Sequence, residues 1–167
     1  MKLLLAQIPP GGLDIRYDAP QALFRDLEVG MEAAAPATVL ARATHEPAGL
    51  HLTGEVAVPL RLSCSRCLTR FDRPVDTRFD ATFSEMVEEE DEVELEAREL
   101  TVYHLEGDSV DMDELVREQV FLEVPFAPLC DPDCKGLCPH CGADLNQGPC
   151  GCNEPVDPRF AALKKLL

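Results

Sequence analysis

Between Leu50 and Phe83 the chain carries two runs of strict alternation that mirror each other. In the first, Leu50, Leu52, Val56, Val58, Leu60 and Leu62 take the even positions, with Thr53, Glu55, Arg61 and Ser63 between them. In the second the phase is reversed. Phe71, Val75, Phe79, Ala81 and Phe83 take odd positions, and Asp72, Asp76, Arg78 and Asp80 lie between. Successive side chains of a strand point to opposite faces, so each run is a long strand with one buried face. A single register satisfies both runs: residues whose numbers sum to 133 are opposite each other, placing Leu62 beside Phe71, Val58 beside Val75 and Leu50 beside Phe83. A slip of one residue would turn every apolar side chain of one strand to the wrong face. The pattern therefore predicts a long antiparallel hairpin with its tip near residues 64–69, and that tip holds Cys64 and Cys67.

Weaker signals surround it. Residues 13–18 and 37–46 read as shorter strands, with a helical segment over 20–30 between them, and another strand is predicted at 100–105 before a Gly-Asp turn. Asp111 stands three residues before Glu114, a capping-box pattern, and Met112, Leu115, Val116 and Val120 then follow at helical spacing. Pro125 and Pro128 end that helix. A second helix is predicted in the closing segment DPRFAALKKLL, with Asp157 as N-cap, Pro158 in the first turn, and Phe160, Leu163, Leu166 and Leu167 as its stripe.

The predicted fold class is therefore α+β, mainly antiparallel sheet with a long hairpin, one or two packed helices and a C-terminal Cys-rich zinc module. Three units follow: a β-rich core over 1–126, a zinc-binding module over 127–155, and a helix over 156–167 that packs on the core. The net charge of −16 is concentrated in residues 85–125, which carry −14 of it. Nine of the fifteen residues from Glu85 to Glu99 are acidic, a density at which like charges repel and little apolar surface offsets ordering. A mobile, solvated insertion is expected there. The run Leu3–Ala6 is too short for a secretory signal, and no apolar run approaches a membrane span. A cytoplasmic location is expected, where thiols stay reduced and clustered cysteines bind metal more often than they form disulfides.

The eight cysteines fall into the pairs Cys64/Cys67, Cys130/Cys134, Cys138/Cys141 and Cys150/Cys152. Tetrahedral zinc takes four ligands, and thiolate pairs at short spacing are the usual way for a chain to supply them. Eight sulfurs make two such sites. The favoured partition joins Cys138, Cys141, Cys150 and Cys152 in one compact site. Cys64, Cys67, Cys130 and Cys134 then clip the hairpin tip to the segment that follows the helix. Swapped partitions, and one site with four free thiols, stay open at this level. His140 lies inside Cys138-Pro139-His140-Cys141-Gly142 but is not needed as a ligand, and the glycine is expected to relieve crowding at the second sulfur.

Four-sulfur sites leave no open position for catalytic water, and no nucleophile elbow, phosphate-cradling loop or paired His and carboxylate is present in the sequence. A non-enzymatic protein with no small-molecule substrate and no membrane partner is expected. Arg61, Arg66, Arg70, Arg73 and Arg78 gather around the hairpin and are the candidate RNA or partner contacts.

The segments CSRCL, DELVREQVFLEVPFAPLC, CKGLCPHCGADLN, CGC and DPRFAALKKL, taken together across residues 50–167, resemble the bacterial YceD-like family, which is named for accumulation of large-subunit ribosomal RNA. The resemblance implies a factor in synthesis, processing or accumulation of the 23S RNA, with a ribosomal protein or precursor rRNA of the large subunit as partner. It supplies no catalytic residues. The alternative is a thiol-based redox or chaperone module.

Overall fold

The structure, a computed structural model, describes residues 1–26, 30–47, 49–84, 102–105 and 107–152. The acidic segment 85–99 and the helix expected over 156–167 lie outside the described residues.

The long hairpin forms as the alternation requires. Strands β4 (Ala37–Glu46), β5 (Gly49–Ser63) and β6 (Arg70–Ser84) run antiparallel to their neighbours. The β5–β6 register pairs Leu62 with Phe71, Val58 with Val75 and Leu50 with Phe83, so every pair sums to 133. Position 54 interrupts the apolar set on β5 because Gly54 faces Phe79 across the register. A Cβ at Gly54 would lie 2.5 Å from the Phe79 ring, which occupies that space instead.

β2 (Leu13–Ala19) pairs with β4 at one edge, and β3 (Glu32–Ala33) pairs with β5 beyond the point where β4 leaves it. The handover falls at Pro59. Its carbonyl accepts from the Ala34 N–H at 2.8 Å, while its own nitrogen has no proton to offer on that side. Pro74, directly opposite, presents its missing N–H to the other edge of the hairpin. β7 (Val102–His104) adds in parallel to the end of β6, giving a six-stranded sheet that is antiparallel in every pairing but this one. Phe83 and Tyr103 stack there with centroids 5.1 Å apart.

A separate two-stranded ribbon joins β1 (Lys2–Leu4) to β8 (Ser109–Asp111). β8 leads into helix α1 (Met112–Glu123), and Asp111 is the N-cap, its carboxylate accepting from the Asp113 N–H at 3.0 Å. Met112, Leu115, Val116 and Val120 are the buried residues of α1. They join Leu50, Leu52, Val58 and Leu62 in one core on the inner face of the sheet.

The architecture is thus mostly antiparallel, mixed sheet with one α-helix among the described residues. No helix among them is long and apolar enough to cross a membrane. One local expectation changes. The described residues 20–26 hold no α-helix: Gln21–Phe24 makes one 3-10 turn that buries Phe24, and Asp26 and Met31 then bridge antiparallel. The N-terminal residues also form a strand, Lys2–Leu4, buried through Leu3.

Candidate metal centre

The hairpin tip builds the first half of a thiol cluster. After Ser63 the chain folds over itself, with the Cys64 N–H donating to Thr69 O at 2.9 Å and the Leu68 N–H to Cys64 O at 2.9 Å. Leu68 closes the turn in the left-handed region at φ 61, an unfavourable place for a branched side chain. The second half comes from the chain leaving α1. Pro128 O accepts from the Ser65 N–H at 2.8 Å, and this brings Cys130 and Cys134 against the tip. Cys64 Sγ lies 3.7 Å from Cys134 Sγ, and Cys67 Sγ lies 3.6 Å from Cys130 Sγ. All four sulfurs are within 4.8 Å of one another. Cys138, Cys141, Cys150 and Cys152 form a second set with the same mutual spacing. These two groups of four coincide with the favoured partition, and His140 belongs to neither.

The distances bear on what the clusters can hold. A disulfide needs its sulfurs about 2.05 Å apart, far closer than the separations here. A tetrahedral ion with bonds of about 2.3 Å to four sulfurs has edges of about 3.8 Å. The 3.6 and 3.7 Å separations fit that tetrahedron. The donor set is soft thiolate, suited to zinc, and four thiolates leave no coordination position for water.

The electrostatics suit a cation. Burial pushes the Cys64 thiol up, but the backbone N–H groups of Cys130, Cys67 and Arg66 outweigh it and bring the thiol down to about 6 from an ordinary 9.0. Cys138 also comes down to about 6, through the backbone N–H groups of Cys141 and His140. In each cluster a different thiol is pushed up to about 12. For Cys130 the main cause is the neighbouring Cys67 sulfur, followed by burial, and for Cys152 it is the Cys141 sulfur, followed by burial. In the inner cluster Cys67 is lowered as well, through its hydrogen bonds with Thr69, so each cluster takes some negative charge readily and resists the rest. A divalent cation relieves that conflict by compensating all four.

The two clusters differ in setting. In the inner one, Cys64, Cys67 and Cys134 are buried and pack with Phe71, Leu129 and Leu137, while Cys130 is exposed. In the outer one Cys138 is buried and Cys141 and Cys152 are exposed. Backbone bonds join them. The Leu137 N–H donates to Arg66 O at 3.1 Å, and Leu145 N–H to Gly136 O at 2.9 Å. Gly136 sits at φ 73 with its α-carbon turned to the tip, where a Cβ would meet Arg66 O at 3.0 Å. Gly142 is also left-handed, at φ 71, yet nothing lies within 4 Å of where its Cβ would be. Its requirement is the backbone angle and not the crowding that the sequence suggested.

Asn146 is the residue sequence reading missed. Its side-chain carbonyl accepts from the Lys135 N–H at 2.8 Å, and its amide nitrogen lies 3.5 Å from Cys134 Sγ and 2.7 Å from Asp144 Oδ1. It supports an inner sulfur from the outer loop. The only signal in the sequence was the Asp144-x-Asn146 spacing, which favours a side-chain-closed turn; the Asn146 N–H does donate to Asp144 Oδ1 at 3.0 Å.

The five arginines do not form one stripe. Arg66 donates to Cys134 O at 2.8 Å and to Pro132 O at 3.4 Å, so it braces the inner cluster. Arg61 pairs with Asp72 at 3.0 Å and Arg70 with Glu32 at 2.6 Å. Arg78 lies opposite Glu55 on the outer face of the sheet, and Arg73, one pleat out of phase, belongs to the other face. Arg73 and Arg78 make no ion pair among the described residues. His45 bonds Ile8 O at 3.0 Å and His51 bonds Asp80 at 2.7 Å, so both stand away from the clusters.

The family model described as large ribosomal RNA subunit accumulation protein YceD matches residues 52–167. A Mycobacterium tuberculosis protein is 37% identical over 120 residues, 71% of this chain and 56% of that protein. A Bacillus subtilis protein is 30% identical over 122 residues, 70% of this chain and 63% of the relative. An Arabidopsis thaliana protein, named large ribosomal RNA subunit accumulation protein YCED homolog 1, chloroplastic, is 27% identical over 141 residues, 70% of this chain and 44% of its own length. The chain spans about half the length of the first of these relatives. No solved structure matches it. The matched region takes in the hairpin from Leu52 onward, α1 and all eight cysteines, and on that extent the chain belongs to the YceD family of large ribosomal RNA subunit accumulation proteins.

Proposed function

We propose that this chain is a non-enzymatic factor that supports accumulation of the 23S rRNA during large-subunit biogenesis. It carries two structural zinc ions, held by Cys64, Cys67, Cys130 and Cys134 and by Cys138, Cys141, Cys150 and Cys152. The observation that carries this reading is the convergence of thiols from segments 63 to 70 residues apart in sequence into a closed four-sulfur shell. Such a shell locks a scaffold together and offers no open position for a substrate. Membership of a family named for ribosomal RNA supplies the biological setting, and a reducing cytoplasm suits thiolates kept for metal.

The partner is a basic ribosomal protein or precursor rRNA of the large subunit. The chain's charge of −16, made more negative by two closed thiolate sites, favours the protein. Exposed Arg73 and Arg78 are the hairpin cations left for a local RNA contact. In this reading residues 1–126 are the core, 127–155 the zinc module and 156–167 a closing helix. A thiol–disulfide role has less support, because the sulfurs gather in fours at non-bonded separations and not in pairs poised to join.

Affinity capture of the full chain from a cell lysate, with and without ribonuclease, tests the assignment. Enrichment of large-subunit proteins that survives ribonuclease supports the protein partner. Enrichment lost on ribonuclease treatment points to precursor rRNA, and recovery of metabolic enzymes without any ribosomal component refutes the ribosomal role.

A further inference from the structure

Cys134 belongs to the inner cluster and Cys138, four positions on, to the outer one. The stretch between them pairs with the loop that Cys141 and Cys150 enclose. The Cys138 N–H donates to Ala143 O at 2.8 Å, the Leu145 N–H donates to Gly136 O at 2.9 Å, and Leu137 bridges Asp144 antiparallel. The result is a narrow ribbon with a cluster at each end. Cys138 stands at one end, and at the other Asn146 lies against Cys134, its Nδ2 3.5 Å from the sulfur. The surroundings fix which way that amide points. The Lys135 N–H donates to its carbonyl at 2.8 Å, so its NH2 side faces two acceptors, Cys134 Sγ and Asp144 Oδ1. An N–H donated to a thiolate is a charge-assisted bond that favours the ionised, metal-binding form of the sulfur.

A two-stranded ribbon this short is marginal by itself. Its stability comes from its ends. Cys138 and Cys141 precede the loop and Cys150 and Cys152 follow it, so closing the outer four-sulfur shell ties the loop down on both sides. We propose that Asn146 is a positioning residue that couples the two metal sites: a closed outer shell holds the ribbon, the ribbon keeps Asn146 Nδ2 on Cys134 Sγ, and the inner shell then releases its ion more slowly. This rests on the reading that both clusters hold zinc, and not on the ribosomal role. Coupling of binding is reciprocal, so a filled inner shell raises the affinity of the outer one by the same factor.

Zinc transfer to a chromogenic chelator tests it, on the full chain loaded under reducing conditions. The release phase missing from Cys130→Ser is the inner one. Asn146 is exposed, so Asn146→Ala leaves the core folded, as circular dichroism would verify, and the loaded variant should still hold two ions. Its inner phase should quicken about threefold, the equivalent of about 0.7 kcal/mol. Cys141→Ser empties the outer site and should quicken the inner phase by the same factor. Joining the two changes should add nothing, because both act through one contact; a quickening of about ninefold, the product of independent effects, overturns the coupling. Asn146→Asp keeps an acceptor for the Lys135 N–H but sets a carboxylate beside the sulfur, so release should be at least as fast as in Asn146→Ala. Recovery of the parent rate by aspartate would assign the effect to the Lys135 bond and overturn the role at the sulfur. So would an inner phase that Asn146→Ala leaves unchanged in a chain holding two ions. A parent chain that takes up no zinc overturns the metal reading itself, and this inference with it.

Discussion

Replacing Cys130 by serine separates the inner cluster's role in holding the fold from its role in packing. Cys130 is exposed, so the substitution removes a ligand without opening a cavity, unlike a change at the buried Cys64. The bond it breaks spans a long loop. Cys67 and Cys130 are 63 residues apart, and the chain-entropy relation gives about 4 kcal/mol for closing a loop of that size. Against a total stability of about 5–15 kcal/mol that is a large share. The control is Cys141→Ser, also at an exposed ligand, in the outer cluster. Cys141 and Cys150 are separated by only nine positions, and the loop they close contains none of the sheet or α1. Each variant should lose one zinc ion of two. In urea unfolding followed by far-ultraviolet circular dichroism under reducing conditions, Cys130→Ser should lower the midpoint by about 2 M at a slope of about 2 kcal/mol/M. Cys141→Ser should move it by less than about 0.5 M. Equal shifts in the two variants, or loss of an ion from Cys130→Ser with no shift, would refute the idea that the inner ion staples the hairpin to the segment after α1.

Three further outcomes follow from single contacts. Gly136→Ala forces an L side chain into φ 73 against Arg66 O and should destabilise the Cys module by about 1–2 kcal/mol, read as faster zinc transfer to a chelator. Arg66 braces the inner cluster by donating from Nη1 to two carbonyls, so Arg66→Ala should quicken zinc release from that cluster, and unchanged release would contradict the bracing role. The Asn146 N–H and side chain hold the Asp144 carboxyl below its ordinary 3.8. Because the folded value is the lower one, the stability this pair gives is complete above pH about 4 and is lost as the pH falls through the folded value, and Asp144→Asn should remove that acid limb from the pH profile of the module.

The hairpin was legible because two long alternations of opposite phase admit one register, and nothing in the core competes with it. α1 was legible through Asp111 and its four inward residues. β7 falls within the strand expected over 100–105, but β1 and β8 are three residues each, too short for a period to show, and β1 finds its partner more than a hundred positions along the chain. Their existence depends on tertiary pairing that no local pattern encodes. Cysteine spacing foretold the pairs, and the short loop between Cys141 and Cys150 pointed to how they would group. It could not reveal that Arg66, grouped by charge with the other hairpin arginines, turns back on Cys134, or that Asn146 reaches from one cluster to the other. Both act through backbone carbonyls, amides and a sulfur brought close only when the tip meets the segment after α1.

The central claim is that sulfur-held ions fasten the far end of the hairpin to the chain's second half. X-ray absorption at the zinc edge, on full chain purified under reducing conditions, measures this directly. The account predicts two zinc ions per chain, each with four sulfurs at about 2.3 Å and no oxygen or nitrogen neighbour. A metal-free chain, a single ion, or a shell containing light atoms would contradict it.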